Sequence, residues 1–154
     1  MRFQVIIIVC LLVLGFVLPS FAQEGCYTDE QFEADRGLRF HTDVEVIMLT
    51  CRYSTKGDNL QKVYAAFVRK NARQIRKWEN VIASTYGGGR NEAIDNFRTY
   101  LANQKGNESA AMGPRSFCQQ WADFVPYAAS LTPAQVLYYV REPDSARPTK
   151  RPHC

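Results

Sequence analysis

Residues 59–86 constrain this chain more than any other stretch. At 100° per residue, Leu60, Tyr64, Phe67, Val68, Ile75, Trp78 and Ile82 gather on one side of a single long helix, and Lys62, Arg69, Lys70, Arg73, Arg76 and Lys77 gather on the other. The apolar stripe requires a core from the rest of the chain, whereas the basic stripe requires water or an anionic partner. Asn71 interrupts the apolar stripe, either as a hydrogen-bonded core amide that fixes register or as an amide facing a ligand.

The chain opens like an exported protein. Arg2 gives a positive start, residues 5–18 are apolar apart from Gly15, and Ser20-Phe21-Ala22 places small residues where a signal peptidase reads. Residues 1–22 therefore read as a cleaved signal. The apolar run is shorter than the roughly 20 residues of a spanning helix, and Pro19 ends it. Gln23, Glu24 and Gly25 do not make a lipobox ahead of Cys26. Some 132 residues remain, enough for one domain with a real core.

The 19 basic residues lose only Arg2, leaving 18 against 15 acidic ones, which is too weak an excess for a nucleic-acid binder without a reading motif. Cysteine usage says more. Cys10 leaves with the signal, and Cys26, Cys51, Cys118 and Cys154 form an even set in an exported chain, so two disulfides are expected. Zinc is the rival reading, but no C-x-x-C pair is present, and the one histidine beside a cysteine is His153. No cofactor is expected.

Helix boundaries can be read in order. Thr28 and Gln31 form a capping box, and Phe40, Val44, Ile47, Met48 and Cys51 share one face, which predicts a first helix over 28–51 with Gly37 as a bend or a close helix contact. Gly87-Gly88-Gly89 ends the second helix; without a preceding strand or a following Lys-Ser or Lys-Thr it is not a phosphate loop. A third helix is expected over 91–105 with Ile94, Phe97 and Leu101 inward, stopping at Gly106 before a loop to Pro114. That loop would hold the formal glycosylation acceptor at Asn107. A fourth helix carries Phe117, Cys118, Trp121, Phe124 and Val125 until Pro126 kinks or ends it. Thr132, Pro133 and Gln135 then start a short fifth helix through Val140. The domain so defined covers 23–142, and residues 143–154 are an extended, proline-rich basic tail tied down by Cys154.

The expected fold is all-α, an up-down bundle of four main helices plus a short C-terminal one. One helix over 28–51 would hold Cys26 and Cys51 about 35 Å apart, far beyond the 5 to 6 Å of a disulfide. In an up-down bundle the end of helix one meets the start of helix four, which pairs Cys51 with Cys118 and leaves Cys26 for Cys154.

Catalytic signatures are absent. His41 and His153 have no local Ser, Cys or Asp arranged as a triad, and His41 reads as a packed histidine near the edge of a buried face. Asp29, Glu30, Glu33, Asp35, Asp43 and Glu45 alternate with Arg36 and Arg39 at helical spacing, the pattern of a solvated face. Aromatic side chains such as Tyr64, Phe67, Trp78, Phe97, Trp121 and Tyr138 supply core volume or wall an apolar cavity.

The motifs Leu49-Thr50-Cys51, Tyr64-Ala65-Ala66-Phe67-Val68, Leu101-Ala102-Asn103 and Ser116-Phe117-Cys118 give residues 45–120 a resemblance to a group of small exported four-cysteine helical proteins of Gram-negative bacteria that has no assigned function. The resemblance implies a periplasmic or secreted address and supports the Cys51 with Cys118 bridge, but carries over no functional residue. The expected role is a non-catalytic helical module that binds a protein or anionic envelope component through Lys62, Arg69, Lys70, Arg73, Arg76 and Lys77. The alternative is a carrier of a small apolar ligand inside the bundle.

Overall fold

The computed structural model describes residues 25–54, 59–142 and 148–154. The export signal expected over 1–22 lies outside the described residues, as do 55–58 of the first loop and 143–147 of the tail. Among the described residues six helices follow one another: α1 (Asp29–Cys51), α2 (Leu60–Tyr86), α3 (Arg90–Met112), α4 (Pro114–Trp121), α5 (Phe124–Ser130) and α6 (Pro133–Arg141). The described chain is all-α, and both disulfides form as expected, Cys51 with Cys118 and Cys26 with Cys154, at Cα separations of 5.4 and 5.1 Å.

The centre of the molecule is α1 rather than α2. Its start is fixed by the capping box, in which the Gln31 N–H donates to Thr28 Oγ1 and the Thr28 N–H donates to Gln31 Oε1 at 3.0 Å. From there α1 touches each of the other five helices, and every residue from Ala34 to Thr42 is buried. The solvated charged face expected on this helix is therefore overturned for Asp35, Arg36 and Arg39, which are all but inaccessible. The physical reason is pairing. Arg39 donates to Asp35 Oδ1 through Nε and Nη2 at 3.3 and 3.2 Å, and Arg36 donates to the Arg141 and Glu142 carbonyls at the end of α6, where the helix dipole favours a cation.

α2 lies along α1 with Leu60, Phe67, Asn71, Ile75, Trp78 and Ile82 buried, as the periodicity requires. Gly37 is the close contact anticipated on α1: the Trp78 indole lies so near that a Cβ there would come within 2.3 Å of it. The helix stops at Gly87, whose φ of +67° suits glycine and whose N–H donates to the Ala83 carbonyl.

Two boundaries differ from expectation. α3 runs through Gly106 to Met112 and stops only at Gly113, φ +79°. A glycine inside a helix costs about 1 kcal/mol, which the added turns offset by burying Ser109 and packing Met112 against the core, while Lys105, just ahead of the glycine, lies over the Trp121 ring at 3.6 Å. The acceptor Asn107 is thus an exposed helical residue, not part of a loop. The expected fourth helix is two, α4 and α5, broken at Ala122 and Asp123 ahead of Pro126. Pro126 sits in the first turn of α5, where its missing N–H has no intrahelical acceptor to lose. The core these elements enclose centres on Phe40, whose ring lies 5.8, 5.5 and 5.0 Å from those of Phe67, Phe124 and Tyr139.

Candidate functional site

The basic strip is on the surface, as its phase on α2 demands. Lys62, Arg69, Lys70, Arg73, Arg76 and Lys77 are all exposed, and the first to last of the four on one line, Lys62 to Arg76, span about 21 Å of helix axis. The structure divides them. Lys70 Nζ donates to the Ala129 carbonyl near the end of α5, and Lys77 Nζ stands 3.6 Å from Glu30 on α1. Lys62, Arg69, Arg73 and Arg76 make no ion pair among the described residues.

That contrasts with several cations on the other helices. Arg98 bridges Glu45 and Glu79 at 3.2 and 3.5 Å, Arg90 reaches Glu79, Lys105 reaches Glu108, and Arg141 holds Glu33 at 2.8 Å. The 27 residues of α2 include a single carboxylate, Glu79, and it faces α3 rather than the strip. None of the large exposed apolar side chains, Leu49, Tyr53, Tyr127 and Tyr138, belongs to α2.

Beside Lys77 opens a groove of about 810 Å³ that sequence reading did not anticipate, since it joins residues from both ends of the chain. Phe32 forms its apolar side, and Asp29, Glu30, Glu33, Arg36, Arg141 and His153 surround it. Its polar side chains are partnered internally: Asp29 with His153 at 2.6 Å, Glu30 with Lys77, and Glu33 with Arg141. Glu33 also accepts from the Trp78 indole N–H at 3.1 Å.

The polar residues singled out in the core have structural settings. Asn71 is buried and its Nδ2 donates to the Phe67 carbonyl one turn back at 2.9 Å, so the bond lies within α2 and does not cross to another helix. His41 is buried against Tyr64, whose hydroxyl lies 3.1 Å from Nε2. Burial, helped by the nearby Arg98 charge, lowers the His41 pKa to about 3, so at neutral pH the ring is uncharged. No group of three or more His, Cys, Asp or Glu side chains suited to a metal ion occurs among the described residues.

Set beside known proteins, the chain matches no family, no curated protein and no solved structure. Fold and surface together define a class: an all-α domain pinned by two disulfides, with no helix among the described residues long and apolar enough to cross a membrane. Both features are compatible with an exported protein.

Proposed function

We propose that the protein is a non-catalytic exported module, periplasmic or secreted, that binds an anionic partner along the α2 strip. The observation that carries this reading is the row of Lys62, Arg69, Arg73 and Arg76, exposed and without ion pairs on a helix whose opposite face is fully engaged in the core. Arg39, Arg90, Arg98, Lys105 and Arg141 are paired with carboxylates, whereas four unpaired cations in a row on one helix face raise the local potential and draw in an anionic surface. Such a row suits an extended acidic polymer or the acidic face of a protein, because its guanidinium groups follow one another at intervals of about 4.5 to 6 Å along a rigid axis. Insertion into a bilayer receives no support, since an interfacial helix needs an apolar face for the lipid and that of α2 is buried against α1. The ligand-carrier reading draws nothing from the core, where rings of Phe40, Phe67, Phe124 and Tyr139 occupy the centre.

The test is capture of partners by oxidised residues 23–154 from extracytoplasmic extract, alongside the variant R69E/R73E/R76E. Wild type should retain a partner that the variant loses, with both proteins melting within a few degrees of each other, because exposed positions contribute little to stability. Equal capture by the two would overturn the proposal. Loss of the partner at high salt would identify a mainly electrostatic contact, and retention a shaped interface that the strip only steers.

A further inference from the structure

The last seven residues fold back onto the bundle. The Tyr27 N–H donates to the Pro152 carbonyl at 2.7 Å, the Cys154 N–H donates to the Tyr27 carbonyl at 2.9 Å, and the disulfide to Cys26 closes the clasp. The clasp presents Lys150 to three aromatic rings. Its ammonium stands 4.6 Å from the ring centroid of Tyr86, 5.0 Å from that of Tyr100 and 5.8 Å from that of Phe97. No carboxylate forms an ion pair with this ammonium among the described residues, so the rings are what receive it.

The receiving walls belong to the helical body. Tyr86 ends α2, while Phe97 and Tyr100 lie on α3, and Phe97 packs against both tyrosines with centroids 5.6 and 6.3 Å apart. A chain of polar contacts fixes them from behind. The buried carboxylate of Asp35 accepts the Lys150 main-chain N–H at 3.0 Å and also pairs with Arg39, Arg39 donates to Gln104, and Gln104 donates to the Tyr100 hydroxyl at 3.0 Å. At the other wall the Tyr86 hydroxyl is hydrogen-bonded to that of Tyr27. The cage is thus rigid without help from the side chain that fills it, and Lys150 is itself exposed, leaving a way in from solvent.

We propose that Tyr86, Phe97 and Tyr100 form an ammonium-binding site that the protein's own Lys150 occupies, and that the external ligand it takes is a quaternary or alkylated ammonium group. Convergent ring faces attract such a cation through their quadrupoles, and methyl groups on nitrogen add apolar contact with the rings while lowering the cost of leaving water. A primary ammonium such as that of Lys150 is the more strongly hydrated and so the weaker occupant, held by its tether rather than by intrinsic affinity.

The experiment is an NMR chemical-shift titration of the oxidised protein and of Lys150→Ala with choline and with its neutral isostere 3,3-dimethylbutan-1-ol. The substitution leaves the main-chain bond to Asp35 and both disulfides in place, and an unchanged melting temperature verifies that the cage survives. Choline should bind Lys150→Ala at least about tenfold more tightly than wild type, shift the signals of residues 86, 97 and 100, and lose its effect when Tyr100→Ala is added, while the isostere leaves the spectra unchanged. Equal binding to wild type and Lys150→Ala, equal response to the isostere, or no response to choline would each overturn the proposal.

Discussion

Trp78 packs face-on against Gly37: a Cβ built at position 37 would lie 2.3 to 2.6 Å from atoms Cδ2, Cε2 and Cε3 of the indole. The contact joins the middle of α1 to the second half of α2 and allows the two longest apolar stripes to approach closely. Trp78 cannot yield, being buried and held by its N–H bond to Glu33.

Gly37→Ala follows from that contact. Alanine gains about 1 kcal/mol of helix propensity over glycine, but forcing a methyl into a rigid, packed ring costs about 1 to 3 kcal/mol and more where the ring is pinned. The clash should win, lowering stability in urea denaturation by about 2 kcal/mol. A variant as stable as wild type would show that the helices can separate at no cost.

Removing one member of the Asp35 and Arg39 pair strands the other. Asp35→Leu leaves a buried guanidinium whose remaining partner is Gln104, at a cost of about 3 to 5 kcal/mol, and the double variant D35L/R39M should recover most of it because neither charge is then desolvated. A double-mutant cycle by chemical denaturation measures the coupling. Additive losses would mean that water reaches the pair.

The pair also shows where sequence pattern stops being informative. Thr28 with Gln31, the Gly87 stop, the α2 stripe and both disulfide pairings were legible because each depends on local spacing or on the order of a few helices. Burial of Asp35 and Arg36 was not, because it depends on segments more than 100 residues later: the end of α6 covers Arg36, and the tail at Lys150 covers Asp35. Gly106 misled for a related reason, since a helix continues through glycine when tertiary contacts further along, here those of Ser109 and Met112, offset its cost. The cation strip was legible as a face, yet only the structure separates Lys70 and Lys77, which have partners, from Arg69, Arg73 and Arg76. The aromatic cage had no sequence signal, because its walls and its occupant come from α2, α3 and the tail.

His41 makes stability depend on pH in a defined window. Its folded pKa of about 3 lies below the 6.5 of an unfolded histidine, so below pH 6.5 the unfolded chain takes up a proton that the folded chain refuses. Stability therefore falls as pH drops from 6.5 towards 3, by on the order of 1 kcal/mol per pH unit, and the loss levels off below that. His41→Gln should flatten this part of the profile while the carboxylates contribute the same slope to both proteins. Parallel profiles for the two, measured by denaturation between pH 7 and 4, would mean that His41 charges freely in the folded state.

The two disulfides should differ in worth, and in the opposite order to their loop lengths. They lie 67 residues apart for Cys51 with Cys118 and 128 for Cys26 with Cys154, so chain entropy alone gives each roughly 4 to 5 kcal/mol, slightly more for the longer loop. That reasoning holds only if the native structure keeps the two ends together once the bond is cut. Cys51 and Cys118 are buried on helices that pack in the core, so their ends stay together and the unfolded chain alone gains freedom. Cys154 is exposed, on a tail whose main-chain attachments to the body are few, so without its bond the native tail can detach and gain the same freedom. The cost of C26S/C154S is then capped by the docking energy of the tail, whereas C51S/C118S meets the full entropic loss. Urea denaturation should show the second variant to be the less stable by about 1 to 3 kcal/mol, and hydrogen exchange should show protection lost at Tyr27 and Cys154 in the first, with α1 to α3 unaffected. A larger loss for C26S/C154S would mean that the clasp is part of the cooperative core.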